Sequence, residues 1–225
     1  MITGRSIDLD DAIEAGRHAV EATPLTHPNW PIYLSGLGSV LLTRFARVGE
    51  RADLDAALTA HRGSLEALSP EHPERASYLV NLSEVARVLF ETTHVQAHLD
   101  DAIAAARDAL ALTPSDHPQR AGRLFTLSAA LRIRLERSHN ERDLEESLDL
   151  GRQAITMLTP TDPDWPAMVS NVGAVSRIRF EQLRSPCDID TAITAATEAL
   201  EAIPADHPDR AIYLFNLGTA LKNSI

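Results

Sequence analysis

A histidine beside an aspartate, with an arginine close behind, is the raw material of acid–base or metal chemistry. The segment Pro204–Gly218, PADHPDRAIYLFNLG, supplies such a set in Asp206, His207, Asp209 and Arg210. Nine histidines along the chain invite the metal reading further. A metal site, however, needs several ligands converging on one point. There is no HExxH, no CxxC and no pair of histidines one helical turn apart with a third ligand. Cys187 is the only cysteine, which excludes a disulfide framework or a thiolate cage within one chain. It follows Pro186 at the start of an expected helix, where a thiolate is favoured, but no histidine is set against it at any recognisable spacing. No glycine-rich phosphate loop is present. The expectation is therefore no catalytic residues, no metal, no cofactor and no enzyme.

Recurrence explains the histidine better than chemistry does. His27-Pro28, His72-Pro73, His117-Pro118, Asp162-Pro163 and His207-Pro208 follow one another at steps of 45 residues. LDDAI at Leu9 keeps the same step through LDAAL at Leu54, LDDAI at Leu99, LEESL at Leu144 and IDTAI at Ile189. So does YLSGLG at Tyr33, through to YLFNLG at Tyr213. A fixed period of this length is the mark of a solenoid, whose units cannot bury their apolar faces alone. Histidines one repeat apart cannot share an ion. A proline at a first helical position needs no N–H donor, so the preceding His or Asp is expected as an N-cap.

Each unit reads as two helices. The first, such as Pro73 to Thr92, carries Leu79, Leu82, Val85, Ala86, Leu89 and Phe90 on one helical face. The second, such as Asp53 to Leu68, carries Leu54, Ala57, Leu58, Leu65 and Leu68 with the same period. A polar turn, Gly49 to Ala52, joins them. Acids such as Asp53, Asp55, Asp143 and Asp188 crowd the start of the second helix, where they complement its dipole. The whole chain, 1–225, reads as one array of about ten helices. By this register Thr3-Gly4 falls in a mid-unit turn and LKNSI225 inside a first helix. Neither end has a polar cap, so a fragment of a longer protein, or an array completed by another chain, is expected.

These residues resemble tetratricopeptide repeats, in which a W-x₂-L-G-x₂-Y motif precedes two small residues seven apart and a proline. Leu214, Leu217, Gly218 and Leu221 stand in the first motif, and Ala192 and Ala199 form one of the small pairs. Pro24, Pro70, Pro114, Pro160 and Pro204 close the units. Small residues there let two helices cross closely. The aromatic places are mostly aliphatic, and the unit is about eleven residues longer than the usual 34. This long-unit form is similar to arrays in large bacterial multidomain proteins, some ending in a caspase-like CHAT protease. The resemblance implies an all-α, right-handed α–α superhelix acting as a non-enzymatic protein-interaction scaffold, with the first helices lining a concave groove. Two alternatives stay open: a regulatory segment of a larger enzyme such as a CHAT protease, and a self-association module stacking end to end.

Composition narrows the partner. The net charge of −11 repels nucleic acid and anionic membrane surfaces. No apolar run approaches the roughly 18 residues of a membrane span, and the N-terminus has no signal-like hydrophobic region, so a cytoplasmic location is expected. On the first helices, one phase holds Asn81, Asn171 and Asn216, amides able to grip an extended peptide or to bond helix to helix. A second phase holds Arg87, Arg132 and Arg177, joined two residues on by Arg134 and Arg179. Such a basic stripe suits a protein or peptide ligand with acidic groups. Glu91, Glu136 and Glu181, four residues beyond, offer the other reading of an ion-paired, solvated face. Phe125 and Phe215 complete the candidate set as apolar anchors. Trp30 and Trp165, each followed by proline, are expected to staple onto the preceding helix.

Overall fold

The computed structural model describes Thr3–Ser224, with side chains from Leu9 onward. Among these residues there are ten helices and no strand: α1 (Thr3–Glu21), α2 (Trp30–Val48), α3 (Arg51–Glu66), α4 (Arg75–Thr93), α5 (Gln96–Ala111), α6 (Arg120–Ser138), α7 (Glu141–Thr156), α8 (Trp165–Leu183), α9 (Pro186–Glu201) and α10 (Arg210–Asn223). From α2 onward every helix start recurs 45 residues later in the next unit. The chain divides into two compact units, Met1–Thr113 and Pro114–Ile225. No described helix is long and apolar enough to cross a membrane. At the N-terminus the register slips: α1 already includes Thr3 and Gly4, where a turn was expected.

In the first unit, Ile13, Leu41, Leu54, Leu58, Val85 and Leu89 form one buried cluster drawn from α1 to α4. In the second, Leu135, Leu144, Leu148, Val175 and Ile178 do the same for α6 to α8. These are the apolar positions whose helical period made the elements legible, so the same stripe that defines each helix also stacks it. Close crossing falls at the small residues. The hydroxyls of Ser128 and Ser147 each donate to the other's carbonyl, at 2.8 and 2.9 Å, locking α6 against α7. At Gly173 an added Cβ would stand 2.9 Å from Ala195 Cβ, so α8 and α9 approach there without room for a side chain.

The His-Pro segments are a turn ahead of the helix, not its N-cap. Nδ1 of His27, His72, His117 and His207 accepts the backbone N–H two residues on, at 3.1–3.2 Å. The carbonyl of each accepts a further N–H three residues on, closing one tight turn. The helices then begin after Asn29, Glu74, Gln119 and Asp209, none of which caps with its side chain. Trp165 packs as the expected staple, buried with Ile155 and Leu158 of the preceding segment. Where arginine replaces tryptophan, Arg75 instead donates to the Leu65 carbonyl at 3.1 Å, adding a side-chain bond at the end of α3.

Helices α2, α4, α6 and α8 each end on a left-handed residue: Gly49, His94, His139 and Arg184, with φ between 51° and 76°. Only the first of these is glycine, the residue that adopts this conformation without strain. His94→Gly is therefore expected to raise stability by about 0.5 kcal/mol, since relief of strain outweighs the added freedom of the unfolded chain. A higher urea midpoint at unchanged slope is the readout.

Candidate functional site

The first helices of successive repeats are tied side by side by their asparagines. In the first unit Asn81 Nδ2 donates to Ser35 Oγ on α2 at 3.2 Å. In the second, Asn171 Nδ2 donates to Ser128 Oγ on α6 at 2.8 Å, and Asn216 Nδ2 to Ser170 Oγ on α8 at 3.0 Å. Asn171 is buried, and its Oδ1 accepts from Arg132 Nε at 2.8 Å. Of the two roles open to these amides, the structure shows the helix-to-helix one. Their effect on a site is positional: they hold α6, α8 and α10 in one row.

The basic phase splits into two sets. Arg87 lies between Glu84 and Glu91, with both contacts at 2.5 Å. Arg132 pairs with Glu136, and Arg177 with Glu181 at 2.5 Å. Between 21% and 26% of these three arginine side chains stays exposed. Glu181 also accepts from Asn223 at 2.8 Å. The Arg–Glu pairs are one helical turn apart and partly wet, an arrangement worth only about 0.3–0.5 kcal/mol each.

Arg134 and Arg179 are not part of that row. Arg134 donates from Nε and Nη2 to the two carboxylate oxygens of Asp143, at 2.7 and 2.8 Å. Arg179 holds Asp188 at 2.9 and 2.5 Å, and Arg44 holds Asp53 at 2.7 and 2.6 Å. Each aspartate side chain is only 4% exposed. The hydrogen bonds from Arg44 to Asp53 and Asp10 raise its guanidinium pKa above the usual arginine value against the effect of burial; that from Arg179 to Asp188 does the same. These pairs join the end of a first helix to the first turn of the second. The signal was present in the sequence as a spacing of nine: Arg44 and Asp53, Arg134 and Asp143, Arg179 and Asp188. The remaining unit changes both members together, to Leu89 and His98.

The two phenylalanines differ. Phe125 is half-buried on α6, whereas Phe215 on α10 is 71% exposed, beside exposed Leu214. No cluster of three or more His, Cys, Asp or Glu side chains able to hold a metal occurs among the described residues. His61 on α3 is 1% exposed, and burial pushes its pKa down to about 4. Its Nδ1 lies 3.4 Å from Ser35 Oγ, the acceptor of Asn81, so the ring belongs to the packing between repeats.

With this geometry in place, comparison with known proteins speaks to the fold. No family model matches the chain, and no curated protein matches it. Among solved structures, BtubC (BKLC) from P. vanneervenii aligns with a TM-score of 0.63 at 14% identity, covering 97% of this chain and 82% of that one. MamA aligns at 0.56 and 17% identity over 87% and 88% of the two chains. Acl4, an assembly chaperone of RpL4, aligns at 0.56 and 18% identity over 96% and 81%. The fold is a TPR-like helical repeat. At these identities the likeness establishes architecture, with the site still to be argued from its own residues.

Proposed function

We propose that the chain is a protein-interaction scaffold whose first helices bind a peptide or protein segment bearing acidic groups. The carrying observation is the row on α6 and α8: Arg132 and Arg177 occupy the same place on adjacent helices, which Asn171 ties together. Both side chains are partly exposed and pair with a glutamate one turn on, and Arg132 also donates from Nε to Asn171. Lys222 on α10 has the same phase, and the half-buried Phe125 supplies an apolar contact on α6. Arg87 offers the equivalent place in the first unit. The long 45-residue unit fits the arrays of bacterial multidomain proteins. Protein binding also agrees with Acl4, a protein of this fold described as an assembly chaperone of RpL4.

The test uses a fluorescent peptide of alternating leucine and glutamate with a free C-terminal carboxylate. Saturable binding that weakens with salt is expected for the wild type. Arg132→Glu with Arg177→Glu should lower affinity at least tenfold while helicity and melting are kept, because each change replaces a cation with a repelling carboxylate. Equal binding by the double variant, or no saturable binding by the wild type, defeats the proposal.

A further inference from the structure

A different face of the second unit carries a groove. Its floor is Val169 and Val172 of α8, and its walls are Ile155 of α7 and Ala195 of α9, around a space of about 340 Å³. The other first helices carry leucine at both floor positions: Leu34 and Leu37, Leu79 and Leu82, Leu124 and Leu127, Leu214 and Leu217. The two valines are each a methylene shorter, and the groove is the room they leave.

The rim differs from its counterpart as well. Between α3 and α5, Arg62 Nη2 donates to Asp101 at 2.6 Å and straps the two second helices together. At the same phases α7 and α9 carry Arg152 and Thr191, and the Thr191 hydroxyl donates to its own helix at Cys187 O. No strap of that kind crosses this groove. Instead Asp190 and Glu198 line it from α9 without an ion-pair partner among the described residues, in a chain already of charge −11. Eight residues of helix separate them by about 12 Å, with the apolar floor between.

We propose that this groove docks a basic amphipathic helix of a partner protein, with one leucine-sized side chain over Val169 and Val172 and a lysine or arginine four residues to either side. The spacing follows from the helix itself: positions four before and four after an anchor share its face and span the same about 12 Å as the two carboxylates. An apolar anchor filling the floor supplies affinity, and the two charges supply register and orientation. This site selects cations, opposite to the row on the first helices, and uses different residues, so either can fail alone.

Cys187 is exposed in the groove wall and reports on its occupancy. The probe is a synthetic helical peptide with leucine flanked at four residues on each side by lysine; its control carries glutamate at those two places. The lysine peptide is expected to bind saturably and to slow alkylation of Cys187 at least fivefold, and the glutamate peptide to do neither. Val169→Leu with Val172→Leu restores the side chains found in the other first helices, so it preserves the fold while filling the groove, and should abolish protection. Asp190→Asn with Glu198→Gln should weaken binding at least tenfold and remove most of its salt dependence. Absence of binding, equal binding of the glutamate peptide, or full binding and protection in the groove-filled variant overturns the proposal.

Discussion

Arg134→Ala is expected to lower the unfolding free energy by about 3 kcal/mol, among the largest effects of any single polar substitution in the second unit. The reason is what it leaves behind. Asp143 is 4% exposed and receives two hydrogen bonds from this guanidinium. Without them a nearly dry carboxylate must draw in water or take up a proton. The guanidinium itself is 28% exposed, so water can reach part of the vacated space, which places the loss at the lower end for a broken buried pair. Replacing both partners should cost far less, and the protein supplies the replacement. In α4 and α5 the same places hold Leu89, fully buried in the apolar cluster, and His98. Arg134→Leu with Asp143→His should recover at least half of the single-variant loss, giving a coupling energy above about 1 kcal/mol in a double-mutant cycle. Urea midpoints of the four proteins measure it. Additive single effects would show that the pair is not a unit.

This pair marks the limit of what the sequence made legible. The 45-residue period placed α3 and α4 to within two residues, because the apolar stripe that repeats is also the stripe that packs. Ala192, one of the small pair, was recognisable as a close crossing for the same reason, and its carbonyl stands 3.3 Å from where a Cβ on Gly173 would lie: smallness is a local property that one residue carries. Arg134 was not legible from its own phase. It stands among basic residues on a first helix, and only its joint variation with a residue nine positions away separates it from Arg132. The asparagines mislead in a related way, since their phase shows that they repeat but not which neighbour their amides meet. The His-Pro segments were correctly read as punctuation, but the helix begins a turn later, since the histidine ring itself takes the backbone N–H that an N-cap would have served. The groove over Val169 and Val172 depends on two methylenes missing from one unit, visible only once the units are compared position by position.

Acid should destabilise the first unit through a single side chain. His61 is the large exception at a place where the other units have Gly16, Ala106, Gly151 and Ala196. Gly38 makes room for it: a Cβ there would stand 2.8 Å from the ring Nε2. The ring is neutral in the folded state, with a pKa held at about 4 by burial against an ordinary value of 6.5. The folded pKa lies below the unfolded one, so the unfolded chain binds the extra proton, and stability is full above pH 6.5 and declines as pH falls toward 4. Across that window the loss is about 3 kcal/mol at most, at no more than about 1.4 kcal/mol per pH unit. Gly38→Ser with His61→Ala copies the Ser83 and Ala106 pairing of the next repeat, which avoids an empty cavity. Carboxylates shared by both proteins contribute equally to both curves. The stability difference between wild type and this variant should therefore shrink or reverse by about 2–3 kcal/mol between pH 7 and pH 4.5. Urea unfolding at a series of pH values reads it directly, and a difference that stays constant across the series would mean that His61 is protonated, or already wet, in the folded protein.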